Sequence, residues 1–233
     1  MRKILALTFL MFLGLSAFSQ AVKDRNVVPV AVTLNQVLRM TITNGGNIEF
    51  VFNTIDDYKN GLSADQVASG SANPGTSEDM YKTDFTISSS TRWALTYGAE
   101  EATFIGTDNP LNTLTLDNVG YSITESGLYN FNAAGTIAPA PGNTEALISV
   151  PTNNATEVAA LQTFPVVLIQ DAGSTTDANA GDAADNSFTL NWRCGTTESA
   201  GTVPMNTVSL INQSPSPAPD RYVVNVLFEL AID

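Results

Sequence analysis

Large apolar residues recur at every second position near the end of the chain. Tyr222, Val224, Val226, Phe228, Leu230 and Ile232 alternate with Val223, Asn225, Leu227, Glu229 and Ala231. A period of two sends alternate side chains to opposite faces of a pleated strand. Residues 222–232 therefore predict one long strand with a single core-facing side, which needs sheet neighbours and a second layer to be stable.

The same alternation recurs upstream. Val28, Val30, Val32 and Leu34 mark a strand over residues 27–37, with Pro29, which cannot donate to a ladder, at its start or edge. Residues 38–43 and 48–53 flank Asn44-Gly-Gly-Asn47, a hairpin signal because glycine tolerates the positive φ of tight turns. Tyr81, Thr83, Phe85 and Ile87 form another half-buried strand, residues 88–92 turn, and Trp93, Leu95 and Tyr97 return. Phe188, Leu190 and Trp192 repeat the pattern, and shorter runs fall at 103–105, 114–116, 119–123, 129–131, 147–150 and 203–211. The nearly continuous apolar run 164–170 predicts a strand buried on both faces.

Helix is expected only at 155–163, with one further turn at 63–68, where Ser63 and Gln66 suit a capping box. Residues 56–79 and 171–186 read as polar loops, and the alternate prolines of 214–219 as a stiff connector. Ten to twelve strands with so little helix predict an all-β chain. The expected architecture is an antiparallel β-sandwich, Ig-like or jelly-roll-like, with long polar loops and a single domain over residues 20–233.

The first residues stand outside that pattern. Arg2 and Lys3 precede an apolar run from Ile4 to Phe18, and Ala17 and Ser19 supply small residues before a cut. Residues 1–19 thus read as a cleaved signal peptide, too short in its apolar run for the ~20 residues that span a bilayer. Export to the periplasm, the cell surface or the medium follows as the expectation, with no membrane span in the mature chain.

Charge and composition then narrow the chemistry. The chain after Ser19 carries 8 basic and 23 acidic residues, a net charge of −15. Nucleic acid and anionic lipid require clustered Lys and Arg, so neither is an expected partner. There is no histidine, which removes Ser–His–Asp and Cys–His nucleophiles and histidine-based zinc sites. Carboxylate pairs need no histidine, and Asp56-Asp57, Glu78-Asp79 and Glu100-Glu101 are present; adjacent strand residues point apart, so none is convergent by itself. Asp171, Asp177, Asn179, Asp182, Asp185 and Asn186 share one loop that could wrap calcium or could simply be solvated, and its spacing is not that of an EF-hand. Trp93, Tyr97, Trp192 and Tyr222 suit either a sandwich core or a sugar-stacking platform. Cys194 is the lone cysteine, so no internal disulfide forms; it is a small buried residue or one half of an intermolecular bridge. Asn154 and Asn212 sit in glycosylation acceptor patterns, relevant in a eukaryotic host. No catalytic, cofactor-binding or metal-binding residue is assigned.

Around Thr91-Arg-Trp-Ala-Leu-Thr96 and Tyr222-Val-Val-Asn-Val-Leu-Phe228 the chain resembles secreted bacterial β-sandwich surface proteins of the WxL and spore-coat types. Trp93-Ala-Leu95 has the W-x-L spacing but lies mid-chain, and the second motif expected near the C-terminus is absent. The resemblance implies surface attachment or fibre assembly and supplies no catalytic residue. The expectation is a non-enzymatic structural or adhesive subunit that self-associates, or joins other envelope proteins, by strand addition. A carbohydrate-binding module and a secreted hydrolase are the alternatives.

Overall fold

The computed structural model describes residues 28–64, 80–131, 144–149, 158–171, 179–198 and 203–233. The chain divides into two units, Met1–Asn35 and Gln36–Asp233. In the first, residues 28–35 form neither helix nor strand. Val28, Val30, Val32 and Leu34 are between 78 % and 90 % exposed.

The second unit is a β-sandwich. Its strands in chain order begin with β1 (Leu38–Asn44), β2 (Leu62–Ser63), β3 (Lys82–Ser89), β4 (Trp93–Ala99) and β5 (Thr103–Gly106). Next come β6 (Thr113–Thr115), β7 (Val119–Glu125), β8 (Tyr129–Phe131), β9 (Thr144–Ser149) and β10 (Ala159–Ala160). The last are β11 (Val166–Asp171), β12 (Ser187–Cys194), β13 (Tyr222–Val223) and β14 (Val226–Ile232). One sheet has the order β1-β3-β12-β7-β10, with β2 also on β12; the second has the order β14-β4-β11-β9-β8; β13-β5-β6 form a small third sheet. Among the described residues all strand-to-strand pairings are antiparallel except β8 with β9, and an isolated bridge of Ala99 with Thr163 is also parallel.

The core lies between the two large sheets, in one cluster. Phe85, Ile87, Tyr121, Ile123, Phe188 and Leu190 come from the first sheet, and Trp93, Leu95, Tyr97, Leu168 and Ile169 from the second. The turn at 88–92 does not make a hairpin. It carries the chain from β3 in one sheet to β4 in the other, and the inward phase is kept across it, since Ser89 and Trp93 are both buried.

Several sequence expectations fail for identifiable reasons. Residues 48–53 form no strand and do not pair with β1, whose partner is β3. Gly45 has φ of +65°, and a Cβ there would overlap the Lys82 carbonyl. Thr83 Oγ1 also donates to the Gly45 carbonyl at 2.7 Å. Gly45 serves a close crossing over β3 rather than a two-strand turn, while Gly46 has open space around it. The described part of 155–163 is extended, not helical. The Ala160 and Leu161 amides donate to Val203 and Val119 carbonyls at 2.8 Å each, so tertiary pairing overrides alanine's helix preference. Residues 203–211 are no strand either, because Asn206 Oδ1 accepts the Val208 amide at 2.9 Å and turns the backbone.

Residues 28–37 lack the expected strand, and residue 27 lies outside the described residues. Ser63 sits in β2, and 65–68 are likewise outside. The long C-terminal strand is cut in two: β13 pairs with β5 and β14 with β4. The break is pinned by Asn225, whose carbonyl accepts the Glu100 amide at 2.9 Å and whose Nδ2 donates to Glu100 Oε2 at 2.8 Å. A helix not anticipated, α1 (Ile55–Asn60), begins at Thr54 with a reciprocal capping box to Asp57.

Candidate functional site: a groove at the open edge

Among the described residues each large sheet ends in a strand with one neighbour, β1 in the first and β14 in the second, and these two edges lie against each other. Beside them the chain leaves both strands in extended form. Ile48, Phe50 and Phe52 are half-buried and alternate with exposed Glu49 and Val51. Val224, Val226, Phe228 and Leu230 are half-buried and alternate with exposed Asn225, Leu227 and Glu229. Between these walls runs a groove of about 790 Å³, whose lining includes Phe50, Phe52, Phe104, Val224, Val226 and Phe228.

The walls are held from behind. Phe50 stacks on Tyr81 with ring centroids 4.5 Å apart, and Phe52 lies 5.3 Å from Tyr58 of α1. Phe228 reaches the core through Phe85 at 6.2 Å and Tyr97 at 6.4 Å. Arg221 Nε meets Glu49 Oε1 at 3.0 Å between the two walls; both are well exposed, so this pair adds little stability. Asp220 clamps the neighbouring loop. It accepts the amides of Asp108 at 3.0 Å and Asn109 at 3.1 Å, and Asn112 Nδ2 at 2.9 Å. The Asp108 amide, followed by the Asn112 side chain, holds this carboxyl below its usual range.

Chemically, the groove offers apolar surface and unpaired strand edge. A partly buried apolar stripe beside free backbone donors and acceptors is what an added β-strand satisfies, through ladder hydrogen bonds and alternate side chains.

The residues singled out from the sequence lie elsewhere. Trp93 and Tyr97 are fully buried and Trp192 nearly so, which leaves no face of these three rings for a sugar; Tyr222 is half-buried in β13. Trp93 and Leu95 of the W-x-L spacing both point into the core. In the acidic loop, Asp171 pairs with Arg92 at 3.3 Å and accepts the Asn179 amide at 3.0 Å. Asp185 Oδ2 accepts the Asp182 amide at 2.9 Å, and Asp182 Oδ1 the Ala184 amide at 2.7 Å. Asp177 lies outside the described residues. Among the described residues no group of three His, Cys, Asp or Glu could hold a metal ion.

Of the carboxylate pairs, Asp57 caps α1 and accepts the Asn53 and Thr54 amides at 2.8 Å each, while Glu100 and Glu101 are exposed. Glu78 and Asp79 are outside the described residues, as is Asn154. Asn212 is exposed, with its Nδ2 donating to Ser209 Oγ at 2.9 Å. Cys194 is buried, and burial pushes its thiol up to about 12.

Two features escaped the sequence reading. One is the groove itself, whose wall at 48–53 resembled a paired strand. The other is the buried ion pair of Arg193 Nη1 with both Glu198 oxygens at 2.8 Å, which ties β12 to the loop after it. A single Arg in an otherwise alternating strand was the available signal.

No family model matches the chain, and no curated protein matches it. Among the described residues no helix is long and apolar enough to cross a membrane.

Proposed function

We propose that this protein is a non-enzymatic, exported structural or adhesive subunit that assembles through the open edge of its sandwich. The observation that carries the reading is the groove between residues 48–52 and 223–228. It is lined by the apolar Phe50, Phe52, Phe104, Val226 and Phe228 together with the charged Glu49, Asp220 and Arg221, is about 790 Å³ in volume, and is flanked by sheet edges with one neighbour each among the described residues. Edges of this kind are normally blunted by Lys, Pro or a covering element. On β14 the exposed positions are instead Leu227, Ala231 and Ile232, with Glu229 the one charge within the strand. The absence of histidine and the structural duties of Asp57, Asp171, Asp182 and Asp185 support a role without chemistry. The signal-peptide pattern of residues 1–19 and the resemblance to WxL-type and spore-coat-type subunits support the surface location.

Sedimentation velocity over a hundredfold concentration range, with negative-stain imaging of the most concentrated sample, tests the reading. Dimers, chains or fibres that grow with concentration are expected. A sharp monomer boundary throughout, with no particles longer than one subunit, would refute assembly.

A further inference from the structure

We propose that the occupant of the groove is residues 28–34 of a second copy of this chain, added as a strand along the free edge of β14. This rests on the reading of the protein as a self-associating subunit and names the interacting parts.

Four observations converge. First, the segment has a strand's pattern and no sheet: Val28, Val30, Val32 and Leu34 all lie in solvent, alternating with Pro29, Ala31 and Thr33. Four large apolar side chains in one period-two row form an apolar face without a cover. Second, its length matches. Residues 28–34 number seven, as do those of β14; seven extended residues span roughly 23 Å. Third, the acceptor is half-made. Val226 and Phe228 line the groove and, with Leu230 on the same face of β14, stay half-buried, so apolar side chains set next to them would complete the layer that β14 leaves open. Fourth, charge favours the encounter between copies. After the predicted cut, the arm up to residue 35 carries Lys23, Asp24 and Arg25, a net +1. From residue 36 onward the chain holds 6 basic and 22 acidic residues, a net −16. An arm of opposite sign is drawn to a body that repels other bodies. Pro29 lacks an N–H, which an added edge strand tolerates near its beginning.

The test uses full-length mature chains, each with one introduced cysteine beside the native Cys194, which is buried and out of reach of the reagent. One chain carries Thr33→Cys and the other carries Leu227→Cys, Glu229→Cys or Ala231→Cys on β14, and a short bifunctional thiol reagent is added to each mixture. Leu128→Cys, 45 % exposed and next to β8 at the end of the second sheet opposite β14, is the control. Crosslinked heterodimers are expected with at least one β14 position and not with Leu128. Val30→Asp combined with Val32→Asp, both at solvent positions and so harmless to folding, should weaken association at least tenfold while leaving the melting temperature of the dilute protein unchanged. Association that persists undiminished in the double variant, or crosslinking to Leu128 as strong as to β14, would overturn the arm as occupant and leave assembly itself standing. A wild-type chain that never associates would defeat both.

Discussion

Asn179 does in one side chain what a neighbouring strand would do, and removing it should be costly. Trp93 begins β4 and is fully buried, yet β11 pairs with β4 only from Leu95 onward. On that side the backbone of Trp93 would be orphaned. Asn179 Oδ1 accepts the Trp93 amide at 3.0 Å, and Asn179 Nδ2 donates to the Trp93 carbonyl at 2.8 Å. The Asn179 carbonyl takes the Trp93 indole N–H at 2.8 Å, and that bond survives truncation of the side chain. Asn179→Ala therefore strands one buried donor and one buried acceptor, each costing about 1–3 kcal/mol. The sum is about 4 kcal/mol at mid-range, reduced to about 3 kcal/mol if a water molecule enters the space left by the amide. For a domain of this size that corresponds to a fall of about 6–12 °C in Tm. Urea unfolding followed by tryptophan fluorescence measures it: the midpoint should drop with m unchanged. A loss below about 1 kcal/mol would show that Trp93 is not held this way, and would return Asn179 to the pool of residues free for other duties.

Further outcomes follow from the same geometry. Gly45→Ala should destabilise by more than about 1 kcal/mol, since φ is +65° and the new Cβ meets the Lys82 backbone, whereas Gly46→Ala, with open space around it, should stay within about 1 kcal/mol of wild type by the same unfolding assay. Cys194 should resist a thiol-reactive dye in the native protein at pH 8 and label fully in denaturant, because its thiol is buried and pushed up to about 12; rapid native labelling would contradict the burial. Asp220 has a folded-state carboxyl pKa below its unfolded value, so its contribution is present above the unfolded value and is lost as pH falls through the folded one. The stability advantage of wild type over Asp220→Asn should thus be full at neutral pH and fade in acid; an advantage independent of pH would refute the charge-assisted clamp.

Much of the sandwich was legible because burial and period coincide. Phe85, Ile87, Trp93, Leu95, Tyr97, Phe188 and Leu190 alternate in sequence and occupy the core in that phase. Which strands share a sheet was not legible, because alternation fixes a face and not a neighbour: the turn at 88–92 looks the same whether β4 pairs with β3 or crosses to the other sheet. Glycine was ambiguous for a similar reason. Gly45 permits a hairpin and permits a close crossing, and Lys82, distant in sequence, decides between them. The groove arises from the same blindness. Ile48, Phe50 and Phe52 carry a strand's pattern without a strand's pairing, and only the tertiary arrangement shows that their backbone stands outside both sheets. The residues 28–34 keep the pattern too, and there the unfulfilled alternation is itself informative.

Amide hydrogen exchange, measured below and above the concentration at which the protein associates, tests the account most directly. Residues 28–34 and Val226–Ile232 should gain protection together on association, while β8, at the opposite end of the second sheet, and the turn at 182–185 that hydrogen-bonds to it stay unchanged. Association without slowed exchange in either segment would contradict it.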